Sequence, residues 1–331
     1  MKIAIDAMGG DNAPKAIIEG SLEAISEYGV EVYLIGLKKE IIDLLGNLEE
    51  YSKLHIVEAN EIIENSDNPV KAIKQKKDSS MVLGLSLVKD NTCDAFLSAG
   101  STGAFLAGSL LRVGRIKGID RPALSPVLPS MKGGYMLIDA GANVDCKPKN
   151  ILQFAIMGSI YMEKVLGIIS PKVGLLSNGT EEGKGNELTK QSHELLKNSN
   201  INFIGNIEAR DMIYGVCDVC VCDGFVGNVV LKNTEGLASG IMSMIKEEIT
   251  KTTVSKIGAM LIKNSLIGLK KRFDYKEYGG APFLGINGIM IKAHGSSDKK
   301  AIKNAIRQAK LLYDNKCIDL IRAEIERAEI V

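Results

Sequence analysis

Short apolar runs alternate with longer amphipathic stretches along most of the 331-residue chain. Runs rich in β-branched residues fall at 2–5, 31–35, 54–57, 94–97, 135–138, 173–176, 202–204 and 216–221. Helical periodicity occupies 14–28, 80–89, 103–112, 150–166 and 186–197, and a closing helix pair spans 299–313 and 316–329. This alternation predicts an α/β fold with a mostly parallel sheet and helices on both faces. The length fits one large domain, residues 1–331. Pro14 suits the first position of a helix, with Ala13 as its cap.

A different pattern begins near Thr234. Leu237, Ile241, Met244, Ile245 and Ile249 recur at helical spacing, residues 250–255 interrupt, and a second helical pattern runs over 256–273. The expectation is a helical hairpin over 234–273 that projects from the sheet. Core packing or a dimer bundle is the plain use of its apolar stripe.

In open α/β sheets, ligands sit beyond the carboxyl ends of the strands. Five of these ends combine glycine with small polar or acidic residues: DAMGGDN (6–12), SAGSTG (98–103), DAGAN (139–143), SNGTEEGKG (177–185) and DGFVGN (223–228). Any one of them reads as an ordinary turn. Five on one edge predict a composite polar cleft. Within SAGSTG, the hydroxyls of Ser98, Ser101 and Thr102 and the amides of Gly100 and Gly103 open a helix, which suits a phosphate.

Lys184, between Gly183 and Gly185, can reach a ligand closely, although a solvated loop lysine is the bland alternative. The surrounding GTEEGKG is one residue short of a nucleotide P-loop and lacks the following Ser or Thr. Asp6, Asp139 and Asp223 could converge on Mg²⁺ or orient lysines, amides and hydroxyls; the expectation is no metal and no cofactor. Cys217, Cys220 and Cys222 lie in a β-rich run without a second ligand pair, so they read as buried apolar residues. His55 and His193 read as structural, and only His294 is a cleft candidate.

Composition narrows the partners. The net charge of +1 gives no field for nucleic acid. Six cysteines in a chain this long do not suggest a disulfide framework, and the few apolar residues before Asp6 are short of a secretory signal. A reduced, cytoplasmic protein is expected. No apolar run approaches the ~20 residues of a spanning helix.

Five blocks together carry a family resemblance: IAIDAMGGDNAP, SAGSTGA, SNGTEEGKGNEL, CDGFVGNVVLK and GGAPFLGINGIMIKAHGSSD. In this order, across essentially the whole chain, they resemble the PlsX-type phosphate acyltransferases. The resemblance implies the three-layer α/β/α fold of isocitrate and isopropylmalate dehydrogenases, shared with phosphotransacetylases, and usually a homodimer. It implies transfer of a long fatty acyl group from acyl carrier protein to inorganic phosphate. The acyl phosphate would then serve a membrane glycerol-3-phosphate acyltransferase.

Phosphate is itself a nucleophile and a thiolate leaves readily, so no Ser-His-Asp or Cys-His set is needed. Within the resemblance, phosphate is assigned to Ser101-Thr102-Gly103 with Lys184 as counter-charge. Asn178, Asn228 and His294 are assigned to the thioester carbonyl or the leaving sulfur. Asp6, Gly9, Gly10, Asp11, Asn12, Asp139, Asn143 and Asp223 are expected to orient donors in the cleft wall. The hairpin gains a second use, since Val254, Ile257, Met260, Leu261 and Ile262 stand among Lys263, Lys270, Lys271 and Arg272. An apolar tip with basic flanks suits a peripheral membrane contact or the acidic carrier protein. The rivals are a phosphotransacetylase-like enzyme using acyl-coenzyme A and a non-enzymatic carrier-protein scaffold. A nicotinamide-dependent decarboxylating dehydrogenase is disfavoured, because no dinucleotide fingerprint is present.

Overall fold

The computed structural model describes residues 1–46, 51–273 and 279–328, and only the backbone of 269–273 and 328. The expected side chains of Lys270, Lys271 and Arg272, and the expected helix end at 329, therefore lie outside the described residues.

The first half contains β1 (Lys2–Asp6), α1 (Lys15–Tyr28), β2 (Glu31–Gly36), α2 (Lys38–Leu45), β3 (Leu54–Glu58), α3 (Pro69–Gln75), α4 (Ser80–Lys89) and β4 (Ala95–Ser98). Then come α5 (Thr102–Gly108), β5 (Ala123–Leu124), β6 (Val127–Ser130), β7 (Gly133–Ile138), α6 (Pro148–Lys164), β8 (Val173–Ser177), α7 (Glu187–Lys197), β9 (Phe203–Glu208) and β10 (Val219–Val221). The rest is α8 (Gly224–Thr250), α9 (Thr253–Leu261), α10 (Lys263–Phe273), β11 (Ala281–Leu284), β12 (Ile289–Lys292), α11 (Lys299–Asp314) and α12 (Cys317–Ala328).

The strands divide between two mostly parallel sheets, of order β3-β2-β1-β4-β12-β11-β5 and β6-β7-β10-β8-β9. Antiparallel pairing is confined to β12–β11–β5 in the first and β6–β7 in the second. Residues 125–126 stitch the sheets together. The Ser125 amide donates to Pro282 O (3.0 Å), and the Pro126 carbonyl accepts from Leu137 N (3.0 Å).

Alternate residues of each strand feed two cores. Ile3, Ile5, Leu97, Ile138, Leu175 and Val221 face one, with α1, α6, α11 and α12. Ala4, Phe96, Leu137, Leu176 and Cys220 face the other, with α4 and α5. Burial on both faces is why these strands read as unbroken apolar runs, and it makes three layers.

Polar side chains set the helix starts. Asn68, Ser79, Ser101, Asn186, Asp223 and Asp298 each accept an amide of the first turn. The first helix differs by one residue from expectation: Pro14 occupies the cap position and Lys15 begins the helix, after a cis Ala13–Pro14 peptide.

The hairpin also differs in its joints. Its first arm, α8, runs unbroken from Gly224, well ahead of residue 234, so it grows directly out of a strand end. The second arm bends at Ile262 into α9 and α10. α9 has no buried residue.

Candidate functional site

Strand ends from both sheets surround a cleft of about 360 Å³. Thr102 and Gly103 come from the start of α5, and Gly141 and Val144 from the turn after β7. Phe225, Asn228 and Lys232 come from α8, and Lys292 and His294 from the end of β12. Leu106, Leu124, Val127, Leu128 and Leu231 give it an apolar wall.

The α8 wall is set by two glycines. A Cβ on Gly227 would lie 1.9 Å from the Asp139 carbonyl oxygen, and one on Gly224 would lie 2.6 Å from the Asn143 carbonyl oxygen. The helix start therefore sits directly on the β7 turn, which places Asn228 beside Gly141. Asp223 caps α8 through Val226 N (3.0 Å).

Asp139, fully buried, fixes that turn. Its Oδ1 accepts the amides of Leu124, Gly141 and Ala142 at 2.9–3.2 Å. Its Oδ2 accepts Asn143 N (2.7 Å) and Asn143 Nδ2 (2.8 Å). Asn143 also donates to Pro122 O (2.7 Å). Burial raises the Asp139 carboxyl above its ordinary range, and these donors pull it back.

On the first sheet, Asp6 is also buried. It accepts Ser98 Oγ (2.7 Å) and Met8 N (3.1 Å), and the Ser98 oxygen in turn accepts Gly100 N (3.0 Å). Burial raises Asp6, against the hydroxyls of Ser80 and Ser98. Ser98 is thus spent on Asp6, and Ser101 caps α5 through Ala104 N (3.4 Å). Of the five residues expected at phosphate, Thr102 and Gly103 face the cleft.

The opening loop leans on the segment after β12. Asp11 N donates to Gly295 O (2.8 Å), and Asn12 Nδ2 to Ser296 O (3.3 Å) and Ser297 O (3.1 Å). A Cβ on Gly9 would come within 2.6 Å of Asp6 Oδ2, and one on Gly10, whose φ is +100°, within 2.9 Å of Gly295 O. Asp11 itself is exposed.

Lys184 and Asn178 are exposed on the loop after β8 and are not among the cleft's lining residues. The Lys184 stem folds over Gly179 instead, with Cγ 2.8 Å from where a Cβ there would stand. His294 stands at the cleft mouth, its Nδ1 2.8 Å from Ser296 Oγ, and burial lowers its pKa. His193 is buried against Asn206 (3.0 Å), and His55 pairs with Glu31 (2.9 Å). Cys217, Cys220 and Cys222 are buried free thiols pushed up by burial, Cys217 to about 12.

Lys292 and Lys232 were absent from the sequence expectations. Lys232 pairs with Glu235 (2.8 Å), whereas Lys292 is only 8% exposed. The signal for Lys292 was a lysine closing the apolar run GIMIK, where a charge has no solvent to face.

Parallel α/β layers whose strand ends close on an apolar-walled, donor-rimmed cleft define a ligand-binding α/β protein of the three-layer class. Solved structures share that fold. A phosphotransacetylase from Streptococcus pyogenes matches with TM-score 0.61 at 18% identity, covering 96% of this chain and 94% of that one. A branched-chain phosphotransacylase from Enterococcus faecalis gives 0.59 at 14%, covering 94% and 98%. Residues 1–320 match the family described as fatty acid synthesis protein. The phosphate acyltransferase of Clostridioides difficile is 55% identical over 329 residues, 99% of this chain and 97% of that protein. That of Thermoanaerobacterium thermosaccharolyticum is 54% identical over 326 residues, 98% and 97%. The chain belongs to the fatty acid synthesis protein family, the PlsX-type phosphate acyltransferases, and is an enzyme.

Proposed function

We propose that the enzyme transfers a long-chain fatty acyl group from acyl carrier protein to inorganic phosphate. The observation that carries this reading is the make-up of one cleft. An apolar wall suited to an acyl chain lies beside Thr102, Asn228, Lys292 and His294, which suit an anion and a polarised carbonyl.

A phosphate oxygen attacks the thioester carbon and forms the new C–O bond, and the tetrahedral adduct collapses as the carbonyl re-forms and the C–S bond breaks. The carrier thiolate leaves and takes a proton from solvent, which its ordinary pKa of ~8.5 allows. Alignment in the cleft contributes ~7–11 kcal/mol where the bound geometry is near attack. A donor such as Asn228 at the developing oxyanion contributes ~3–4 kcal/mol. Thr102 and Gly103 contact phosphate, with Ser98, Gly100 and Ser101 holding that loop. Lys184 and Asn178 act from the rim, on the exposed loop after β8. Asp6, Asp11, Asn12, Asp139, Asn143 and Asp223 hold the walls.

The exposed apolar residues of the hairpin support a contact with the cytoplasmic membrane surface. Val254, Met260 and Leu261 are 81%, 74% and 84% exposed, with Ile257 and Ile262 also exposed beside Lys263. Among the described residues, no helix is long and apolar enough to cross a membrane. A membrane glycerol-3-phosphate acyltransferase would take up the acyl phosphate there. Leu237, Ile241 and Met244, exposed along α8, suit a homodimer.

The test is release of free carrier thiol from a long acyl-carrier-protein thioester, with and without phosphate and chelator, against acyl-coenzyme A. Phosphate-dependent release from the carrier-protein substrate is expected, and equal use of acyl-coenzyme A would overturn the carrier-protein assignment. Liposome flotation should weaken in the double variant Leu261→Asp, Ile262→Asp.

A further inference from the structure

Lys292 closes β12 in register with Ser98 of β4, at the meeting point of the two strand ends that lean on the opening loop. Its Nζ donates to the carbonyl oxygens of Ala99 (3.3 Å) and Ala293. It forms no ion pair with a carboxylate among the described residues. An ammonium carries three N–H groups. Two go to neutral carbonyls, leaving one donor and the whole charge at the cleft wall.

A buried charge with no carboxylate in ion-pair contact is costly to hold, and the fields of Asp6 and Asp11 offset only part of that cost. Folding gains two bonds to backbone carbonyls from it, and these do not neutralise the charge. A cleft that takes an anion supplies the counter-ion from outside. The other cleft lysine, Lys232, already has its partner in Glu235.

We propose that Lys292 is a substrate-binding residue whose ammonium holds the attacking phosphate in the cleft. This rests on the phosphate-acceptor reading above, and it moves the main counter-charge from the rim lysine, Lys184, to a residue inside. The groups facing it are Asp6 and Asp11 from the opening loop, Lys232 and Glu235 from α8, and His294 from the loop after β12. Burial lowers the Lys292 pKa to about 8, with Asp6 and Asp11 holding it up and Lys232 pushing it down. Only the protonated amine attracts phosphate, so affinity for phosphate falls as pH rises through that value.

The experiment varies inorganic phosphate at saturating acyl donor, for wild type and Lys292→Met, from neutral pH into the alkaline range. The variant should raise KM for phosphate about tenfold or more, with a smaller change in kcat. The wild-type rise of KM above pH 8 should vanish in it. A folded variant with unchanged KM, or one that loses only kcat, overturns the proposal. Should thermal melting show the variant unfolded, the wild-type profile decides: a flat KM overturns the proposal and a rising one supports it. If wild type releases no thiol with phosphate, the reaction itself is misassigned. Calorimetric binding of inorganic phosphate to the two proteins then still tests Lys292, with equal affinities refuting it.

Discussion

Two buried aspartates stand at strand ends, Asp6 closing β1 and Asp139 following β7, one in each sheet, and they serve the cleft differently. Asp139 accepts five donors, all within its own turn or from Leu124 of β5, and so fixes the seat on which α8 rests. Asp6 holds fewer partners, chiefly Ser98, and its field reaches Lys292 across the first sheet. A carboxylate saturated with amides is an anchor. One with fewer donors, close to a buried cation, is part of a charge pattern that a ligand can complete.

The largest test of that contrast is Asp139→Ala, which orphans several buried amides. A loss of about 3–5 kcal/mol is expected by chemical denaturation, and a loss matched by Asp6→Ala would erase the distinction. Gly227→Ala comes next. Its methyl group meets the Asp139 carbonyl oxygen, so α8 must move, at about 1–3 kcal/mol of stability and with reduced turnover through Asn228. Ser98→Ala removes one hydroxyl from Asp6 and should cost about 1 kcal/mol, with KM for phosphate shifted through Lys292 and Gly100. Smallest in stability is Asn228→Ala, within about 0.5 kcal/mol for an exposed position. Its turnover should nevertheless fall about 10²-fold if Asn228 serves the oxyanion. Unchanged turnover there would leave the α8 wall a purely structural one.

Most strands were legible because burial on both faces leaves a run such as Ile3–Ala4–Ile5 with no polar position to confuse it. The helix starts at Ser101 and Asn186 were legible for a local reason too, since each side chain accepts an amide three residues on. The same role of Asp223 was not read, because the helix it caps was expected only from about residue 234. β5, β6, β11 and β12 were not assigned from the sequence. Two-residue β5 carries no period, and β12–β11–β5 is the antiparallel edge of a mostly parallel sheet, stabilised by partners far away in the chain. Ser98 read as a phosphate ligand because its type and place fit. That its hydroxyl is turned into the core depends on Asp6, 92 residues earlier.

The sequence alone determined the layered α/β class, the glycine-rich strand ends and the family blocks, because periodicity, turn chemistry and motif order are local properties of the chain. The tertiary structure decided which of those ends share a cleft. β12 inserts between β4 and β11 and carries Lys292 alongside Ser98. α8 lies on the Asp139 turn at a distance only glycine permits. Charge and burial at a point in space depend on neighbours distant in sequence, and that is why the buried lysine emerged only once the chain was folded.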